Sequence, residues 1–164
     1  MPKDLPQKLL RELLKNSKRS DRELAKILKV SQPTITRIRH KLEKSGLIKD
    51  YTVVPDFKKM GFELMTILLV KIRPEAMTPE IIGKAKEYAA KGYPNVILST
   101  LGEGMGMNGV AISFHKSYGE FQRQLNELRL EWKNFLEDIR IFIIPLGEGE
   151  FKRFSLTYLK DVPL

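Results

Sequence analysis

The 164-residue sequence contains no cysteine and only two histidines. Without cysteine, the chain forms no disulfide and offers no thiolate to a metal. His40 and His115 lie in different predicted domains and away from any cluster of carboxylates, so we predict no metal site. No serine stands in a setting typical of a nucleophilic enzyme. We therefore predict no catalytic residue and no cofactor.

Long hydrophobic runs are also absent. The longest, MTILLV at residues 65–70, is too short to cross a bilayer. The first residues are charged and lack the apolar segment of a secretory signal. Together with the lack of cysteine, these features predict a cytoplasmic protein with no membrane association.

The excess of positive charge lies in the first third of the chain. Residues 1–60 contain 16 Lys and Arg against 7 Asp and Glu, and their excess of +9 equals the net charge of the whole protein. Residues 61–164 are therefore neutral overall. This segregation predicts one part that meets a polyanion and another with a different task. Solubility is the alternative explanation.

Three helices are predicted before residue 50. The first covers DLPQKLLRELLKN, whose leucines form one apolar stripe. The second starts at Ser20, which forms a capping box with Glu23. The third starts at Ser31 as its N-cap and stops at Gly46. Its buried face is predicted to consist of Ile35, Ile38 and Leu42.

The opposite face of the third helix begins with hydrogen-bonding side chains and ends with cations. Such a helix suits the major groove of DNA, where short polar side chains reach base edges and cations meet phosphates. A solvated basic helix is the alternative. The predicted DNA-binding residues are Arg22, Ser31, Gln32, Thr34, Thr36, Arg37, His40 and Lys41. Further phosphate contacts are predicted for Lys26, Arg39, Lys44 and Lys49.

A two-stranded wing is predicted from LIKDYTVV, residues 47–54, where apolar residues alternate around a charged turn. Three helices and a wing form a winged helix-turn-helix domain. The segment PDFKKMG then reads as a connector. We therefore predict a DNA-binding domain over residues 1–60 and a second domain over residues 61–164.

The second domain is predicted to alternate strands and helices. Strands are predicted in FELMTILLVKI, NVILSTL, NGVAISFH and DIRIFIIP, and helices in TPEIIGKAKEYAAKG and SYGEFQRQLNELRLEWKNFLE. The order β-α-β-β-α-β is the ferredoxin-like split βαβ, so the chain is an α+β protein. The tail, FKRFSLTYL, is predicted to be an extra edge strand or a packed tail.

The stretch RELAKILKVSQPTITRIRHKLEKSGLIKDYTVVPDFKKMGF, residues 22–62, resembles the DNA-binding half of the Lrp/AsnC (feast/famine) family of transcriptional regulators. The similar features are ELA in the second helix, SQPT at the start of the third, RIRHKLEKSGLI at its end, and YT in the wing. The second domain resembles the family's effector-binding and assembly domain. This resemblance implies a sequence-specific regulator of double-stranded DNA, modulated by a small molecule such as an amino acid.

A homodimer or higher oligomer is predicted as well. The strands MTILLV and IFIIP are too apolar for a sheet that exposes one face to solvent, so the sheet is expected to pair with a second copy. Such a dimer would place two recognition helices about 34–36 Å apart on one face of DNA.

Two departures from the family pattern affect these expectations. Lys29 occupies the turn where the family usually has glycine, which costs about 1 kcal/mol if the residue adopts positive φ. Asn108 replaces the aspartate of a G-x-x-D turn that frames the family's effector pocket, so the charge that would hold an amino-acid ammonium is missing. The effector-binding residues implied by the resemblance are Thr100, Gly102, Gly104, Met105, Gly106, Met107 and Asn108.

Two other interpretations stay open. Gly104 to Gly109 match the dinucleotide motif G-x-G-x-x-G, but a strand rather than a helix follows, which favours a glycine-rich hairpin tip. Haem-pathway decarboxylases acting on sirohaem also resemble this family in both halves, so an enzyme is the alternative function. Its candidate anion partners are His115, Arg123, Arg129 and Arg140.

Overall fold

The computed structural model describes residues 4–147, 149, 151–152 and 154–162, with Lys91 described by its backbone alone. The chain divides into two compact units, one from residues 1–54 with 151–164 and one from residues 55–150. The predicted division at residue 60 therefore differs from the observed one. The connector belongs to the second unit because Phe57 stacks on Phe114 with ring centroids 4.2 Å apart. Phe62 packs on the same ring.

The first unit is built from three helices, α1 (Leu5–Lys15), α2 (Asp21–Leu28) and α3 (Gln32–Lys44). The predicted caps are present. Ser20 and Glu23 form the capping box of α2, and Ser31 caps α3. One face of each helix meets a shared core, which consists of Leu5, Leu9, Leu13, Leu24, Ala25, Ile35, Ile38 and Leu42.

The wing and the tail differ from the sequence predictions. Residues 49–54 contain no strand, so the predicted strand pair is wrong for this chain. The backbone amide of Tyr51 instead donates to Asp50 Oδ1 at 2.7 Å, so it is not available to a strand partner, and the Tyr51 hydroxyl bonds to Glu43 of α3. The described part of the tail forms a 3₁₀ helix, Leu156–Asp161, that contacts α1. Ser155 caps this helix and starts a helical turn, so the tail packs but adds no strand.

The second unit has the predicted β-α-β-β-α-β order. Its elements are β1 (Leu64–Ile72), α4 (Pro79–Gly92), β2 (Val96–Gly104), β3 (Met107–His115), α5 (Tyr118–Glu131) and β4 (Leu136–Pro145). The strands form one antiparallel sheet in the order β2-β3-β1-β4. This arrangement confirms the ferredoxin-like α+β prediction.

The two helices of the second unit cover the sheet unequally. Phe121 and Leu125 of α5 are buried against Leu64 of β1 and form the core on that side. Between α4, α5 and the sheet lies a cavity of about 450 Å³. None of the described helices is both long and apolar enough to cross a membrane.

Candidate nucleic-acid interface

The turn between α2 and α3 has the strained geometry that the sequence suggested. Lys29 closes α2 in the left-handed region, with φ 54°. The amide of the next residue, Val30, donates a hydrogen bond to the carbonyl of Ala25 at 3.0 Å, which completes the helix end. This conformation directs the chain into Ser31 and the start of α3.

The first turn of α3 contains two of the predicted base-contacting hydroxyls. The backbone amide of Thr34 donates to Ser31 Oγ at 3.4 Å, and the two hydroxyl oxygens lie 2.8 Å apart. Ser31 and Thr34 therefore cap the helix and engage each other. Whichever of the two hydroxyls donates to the other, Thr34 Oγ1 keeps a lone pair with which it can accept a further hydrogen bond.

The outward face of α3 is polar and basic, as predicted. Ile35, Ile38 and Leu42 are buried on the inner face. Of the residues predicted to bind DNA, the structure places five on the exposed face of this helix and one, Arg22, on the exposed face of α2. The five are Gln32, Thr36, Arg37, His40 and Lys41.

A polar tie between α2 and α3 changes the role of two predicted residues. Arg39 Nε donates to Asp21 Oδ1 at 2.7 Å, and Thr36 Oγ1 donates to Asp21 Oδ2 at 2.6 Å. The side chains of Arg39 and Asp21 are only 17% and 20% exposed. The prediction that Arg39 contacts phosphate is therefore corrected: its guanidinium holds the motif together. The Thr36 hydroxyl donates its proton to Asp21, so toward a DNA base it can only accept a hydrogen bond.

Tyr51 extends this network to the segment after α3. Arg39 Nη1 donates to the Tyr51 hydroxyl at 3.4 Å, and that hydroxyl donates to Glu43 Oε1 at 2.9 Å. Partial burial raises the pKa of the Tyr51 phenol, so it stays protonated and able to donate at neutral pH. Sequence reasoning missed Asp21 and Tyr51 as organising residues, because pairing across helices leaves no periodic signal in the chain.

Several acidic groups of the first unit are occupied by neighbours within it. Glu12 pairs with Lys15 and Arg19, and the hydrogen bond from Lys15 lowers the pKa of its carboxyl. Hydrogen bonds from Ser20 likewise lower the pKa of Glu23. The exposed surface is left predominantly cationic. Its exposed cations include Arg22, Lys26, Lys41, Lys44 and Lys49.

The predicted effector residues lie on the β2–β3 hairpin. Met105 and Gly106, with φ 55° and 74°, form the two-residue loop that joins the strands. The G-x-G-x-x-G sequence is thus a hairpin tip followed by a strand, without the helix that a phosphate site needs. The exposed members are Thr100, Gly102, Gly104, Met105 and Gly106, and Met107 is buried.

Asn108 does not face the hairpin tip. Its Oδ1 accepts from the backbone amide of Ile72 at 2.7 Å, and its Nδ2 donates to the carbonyl of Ile72 at 2.8 Å. The side-chain amide therefore replaces a backbone partner at the end of β1. Of the seven predicted effector residues, all within the described chain, Thr100 alone lines the 450 Å³ cavity.

His115 is buried in a polar cluster of the second unit. Its Nε2 lies 2.8 Å from Ser113 Oγ and 3.2 Å from Thr66 Oγ1. Burial lowers the pKa of the imidazole. Within the part of the chain that the structure describes, no group of three His, Asp or Glu side chains is arranged to hold a metal ion.

Comparisons with known proteins agree with this geometry. A model for winged helix-turn-helix DNA-binding domains matches residues 3–49. An uncharacterized HTH-type transcriptional regulator of Pyrococcus abyssi is 28% identical over 150 residues, which cover 90% of this chain and 93% of the relative. The regulator LrpA of P. abyssi is 37% identical over 76 residues, which cover 46% of this chain and 53% of LrpA.

Solved structures extend the similarity to both units. The structure of PH0061 is 25% identical with a TM-score of 0.75 and covers 94% of this chain and 97% of its own. AsnC of E. coli is 17% identical with a TM-score of 0.73, covering 95% and 99%. Together these similarities of sequence and fold support the assignment of the chain to the Lrp/AsnC family. A Neisseria meningitidis transcriptional regulator, solved as an L-Met complex, shares the fold with a TM-score of 0.75 at 16% identity, covering 97% and 99%.

The comparisons also bear out the predicted broad function. The chain is a DNA-binding transcriptional regulator of the Lrp/AsnC type, and the relatives named above are regulators rather than enzymes. Nothing in these comparisons supports the decarboxylase alternative. Lys29 and Asn108 are the two positions named above at which this chain departs from the family pattern. Lys29 adopts a positive φ, and Asn108 bonds to Ile72.

Proposed function

We propose that this Lrp/AsnC regulator recognises specific DNA sites through α3, acts in the cytoplasm as a homodimer, and has no catalytic activity of its own. In this proposal Gln32, Thr34 and Arg37 read base edges, with Ser31 and Thr36 as acceptors. His40, Lys41 and Arg22 contact bases or phosphates at the margins. Lys26, Lys44 and Lys49 add phosphate contacts.

One observation carries the DNA-binding part of the proposal. The exposed face of α3 starts with hydrogen-bonding groups and ends with cations, while its opposite face is buried in the core of a unit that holds all of the chain's excess charge. A helix that binds in the major groove packs against its own domain on one face and presents polar side chains to the bases on the other. The tie of Arg39 to Asp21 supplies part of that support.

Selection of bound duplexes from a random pool tests this proposal. We expect a pseudo-palindromic site with half-sites spaced by about one helical turn, 34–36 Å. If about six to ten phosphates are contacted, affinity for that site should fall about 10³–10⁵-fold between 50 and 200 mM salt. Failure to enrich any site, together with a flat salt response, would overturn the proposed interface.

Paired substitutions locate the reading face. Arg37→Ala should cost about 1–3 kcal/mol of binding and relax the preference at one base position. Lys133→Ala is the matched control, because it removes the same charge from an exposed position in the neutral unit. An unchanged base preference in Arg37→Ala would show that another face of the motif reads DNA.

The sheet face opposite the helices supports the dimer. The strand registers align Leu98, Ile112, Ile67 and Phe142 in one row across all four strands. Leu98 is 43% exposed and Phe142 is 67% exposed. A continuous apolar row on an open sheet favours association with a second copy of the same surface.

Sedimentation of matched variants tests the dimer. Phe142→Asp should give monomers, because a carboxylate at the centre of the interface would be buried without a partner. Leu130→Asp is the control, since Leu130 is 71% exposed on α5 and lies outside the apolar row. If Phe142→Asp and Leu130→Asp sediment alike as dimers, the sheet face is not the interface.

We also propose that an amino-acid effector binds at the β2–β3 hairpin. The exposed hairpin residues would contact it: Thr100, Gly102, Gly104, Met105 and Gly106. Met107 and Asn108 would hold the hairpin in its conformation. The L-Met complex of the Neisseria regulator makes L-methionine the first probe. Calorimetric titration of the twenty amino acids, with and without the selected duplex, tests this part. Absence of binding by all twenty would remove the effector from the proposal and leave DNA recognition intact.

A further inference from the structure

The cavity between α4, α5 and the sheet has the size of a ligand site. Its volume is about 450 Å³, whereas pockets that bind small molecules occupy about 300–1,000 Å³ and protein interiors contain few voids larger than a water molecule. The buried side chains Phe121 and Leu125 of α5 form part of its inner wall. Its mouth lies at the edge strand β2, where the lining residues Ser99 and Leu101 are exposed. Lys86 of α4 is an exposed lining residue as well.

Most of the wall is apolar. The sheet contributes aliphatic side chains such as Leu68 and Val70, and α4 contributes Ile81 and Ala85. Trp132, which caps the end of α5, also lines the cavity. Such a wall binds an apolar body through the hydrophobic effect.

Two tyrosines of the lining have partners for their hydroxyl protons. The Tyr88 hydroxyl donates to the Tyr93 hydroxyl at 2.8 Å, and that hydroxyl donates to Glu127 Oε2 at 3.0 Å. Partial burial raises the pKa of both phenols, so both stay protonated at neutral pH. The tyrosines therefore present no charge to a ligand.

The polar groups on the sheet side of the cavity also bond within the protein. Thr66 Oγ1 and Ser113 Oγ lie 2.8 Å apart, and each lies within hydrogen-bond distance of His115 Nε2. Burial lowers the pKa of His115, so this cluster is uncharged at neutral pH. Asn95 Nδ2 donates to Gln124 Oε1 at 3.0 Å, which leaves the Gln124 Nε2 amide as a neutral donor of the lining.

Lys86 supplies the one charge among the described lining residues. These residues include no other Lys, no Arg, and no Asp or Glu. Within the part of the chain that the structure describes, the Lys86 side chain forms no ion pair and no hydrogen bond. By contrast, Lys84 on the same helix pairs with Glu80 Oε1 at 2.9 Å. An unpaired cation at the mouth of an apolar cavity favours a ligand that joins an apolar body to one anionic group.

We propose that this cavity binds a small carboxylic acid with an apolar body, such as a medium-chain fatty acid, and that its carboxylate lies at the mouth beside Lys86. One lysine balances the single charge of a carboxylate, whereas a phosphate monoester carries about two charges at neutral pH. An α-amino acid suits the site less well, because the described lining residues include no carboxylate to pair with its ammonium group. The cavity shares only Thr100 with the proposed hairpin site, and the inference rests neither on that effector nor on DNA recognition.

The fluorescence of Trp132 measures binding directly, because it is the only tryptophan in the sequence and it lines the cavity. The probes are butanoate, hexanoate and octanoate at concentrations below micelle formation. The emission should change saturably, and the affinity should rise about fourfold for each added methylene group that the cavity encloses. An affinity that does not depend on chain length would overturn the proposal, because it would show binding to a surface cation alone.

Neutral and cationic relatives of these probes test the charge. Octanoate should bind about two- to fivefold more tightly than octanamide, which has the same chain without the charge, because the ion pair with Lys86 lies at the exposed mouth. Octylammonium should bind more weakly than octanamide. L-norleucine should bind more weakly than hexanoate, which has the same chain without the ammonium group. Equal affinities for octanoate and octanamide would overturn the role of the carboxylate.

Substitutions on α4 and α5 locate the carboxylate. Lys86→Gln should weaken octanoate about two- to fivefold and leave octanamide unchanged. Lys86→Glu should bind octylammonium more tightly than octanoate. Lys84→Gln is the matched control, because Lys84 is exposed on the same helix and does not line the cavity. If Gln124→Leu abolished the preference for octanoate while Lys86→Gln retained it, the carboxylate would lie away from the mouth and the proposal would be wrong.

A pair of alanine positions tests the enclosed space. Ala85→Leu should weaken octanoate and octanamide at least about tenfold by filling the cavity from α4. Ala90→Leu is the control, because Ala90 is exposed on the same helix and does not line the cavity. Identical octanoate binding by the two variants would show that the chain of the ligand lies elsewhere. Should Ala85→Leu fail to fold, the chain-length series and the variants of the exposed Lys86 still decide the question.

Discussion

The two units of this chain differ in where they carry their polar and charged groups: the first carries them on its surface, and the second keeps some of them in its interior. The three-helix unit fills its interior with aliphatic side chains and carries its excess charge outside. The four-stranded unit, residues 55–150, has nearly balanced charge, with 12 Lys and Arg against 13 Asp and Glu, and it contains a polar cluster and a cavity under its helices. The contrast suggests that the first unit recognises a partner by its surface, whereas the second recognises by enclosure. The predictions below test that contrast.

The largest expected difference concerns core truncation. Leu9→Ala should reduce the free energy of unfolding of the first unit by about 2–5 kcal/mol, because Leu9 is fully buried in a closed core. Ile82→Ala should cost the second unit less than about 1.5 kcal/mol, because Ile82 borders the cavity and has fewer neighbours to lose. Urea unfolding followed by circular dichroism at fixed protein concentration measures both. Equal losses would contradict the contrast.

The next effect concerns the tie between α2 and α3. Asp21→Ala removes the carboxylate to which both Thr36 and Arg39 donate and leaves the largely buried guanidinium of Arg39 without an anionic partner. We expect a loss of about 1–3 kcal/mol in the unfolding free energy and weaker binding to all DNA sequences alike. Asp4→Ala is the control, because it breaks the exposed pair with Lys8. The same unfolding midpoint in Asp21→Ala and Asp4→Ala would assign the tie no structural role.

A smaller gain is expected at the strained residue of each unit. Among the described residues, Lys29 and Met105 are the two non-glycine positions with positive φ. Lys29→Gly should stabilise the first unit by about 1 kcal/mol. Met105→Asn should stabilise the hairpin of the second by a similar amount, since Asn-Gly suits a two-residue loop with positive φ at both positions. Thermal unfolding measures both, and a lower midpoint in either variant would contradict it.

The smallest effect is the contribution of His115 to the pH dependence of the second unit between pH 7 and 5. Burial lowers the pKa of His115 below its ordinary value of 6.5, so the unfolded chain binds the proton more readily than the folded one. Stability should therefore be constant above about pH 6.5 and fall as the pH drops below it. Unfolding free energies at pH 7 and 5 should differ less in His115→Gln than in the wild type. An equal difference would assign the pH dependence to other groups.

Local signals in the sequence predicted most of the fold. The capping box at Ser20, the N-cap at Ser31 and the alternating strands each depend on neighbours within a few residues, and each is present in the structure. The exposed face of α3 followed from helical periodicity in the same way. Boundaries and caps could be predicted because the interactions that create them are short in sequence.

The features that were not predicted depend on distant partners. The sequence predicts Arg39 to be an exposed cation, but in the structure it pairs with Asp21, which lies 18 positions earlier in the chain. Residues 47–54 alternate like a strand, but the Tyr51 side chain bonds to α3 and the segment forms no ladder. Asn108 matches a family turn, yet its amide bonds to Ile72, 36 positions away. The cavity has no local signal, because it depends on how two helices cover a sheet.

The pairing of Asn108 with Ile72 also bears on the chemical ageing of the protein. Asn108 precedes Gly109, and an asparagine before glycine is prone to cyclise on the following amide and deamidate. Two hydrogen bonds, at 2.7 and 2.8 Å, hold this side chain against β1 and keep it from swinging toward that amide. Once converted to aspartate, residue 108 would set a carboxylate against the Ile72 carbonyl. Repulsion between the two oxygens would then break the contact between residue 108 and Ile72, so slow deamidation would destabilise the end of β1 as the protein ages.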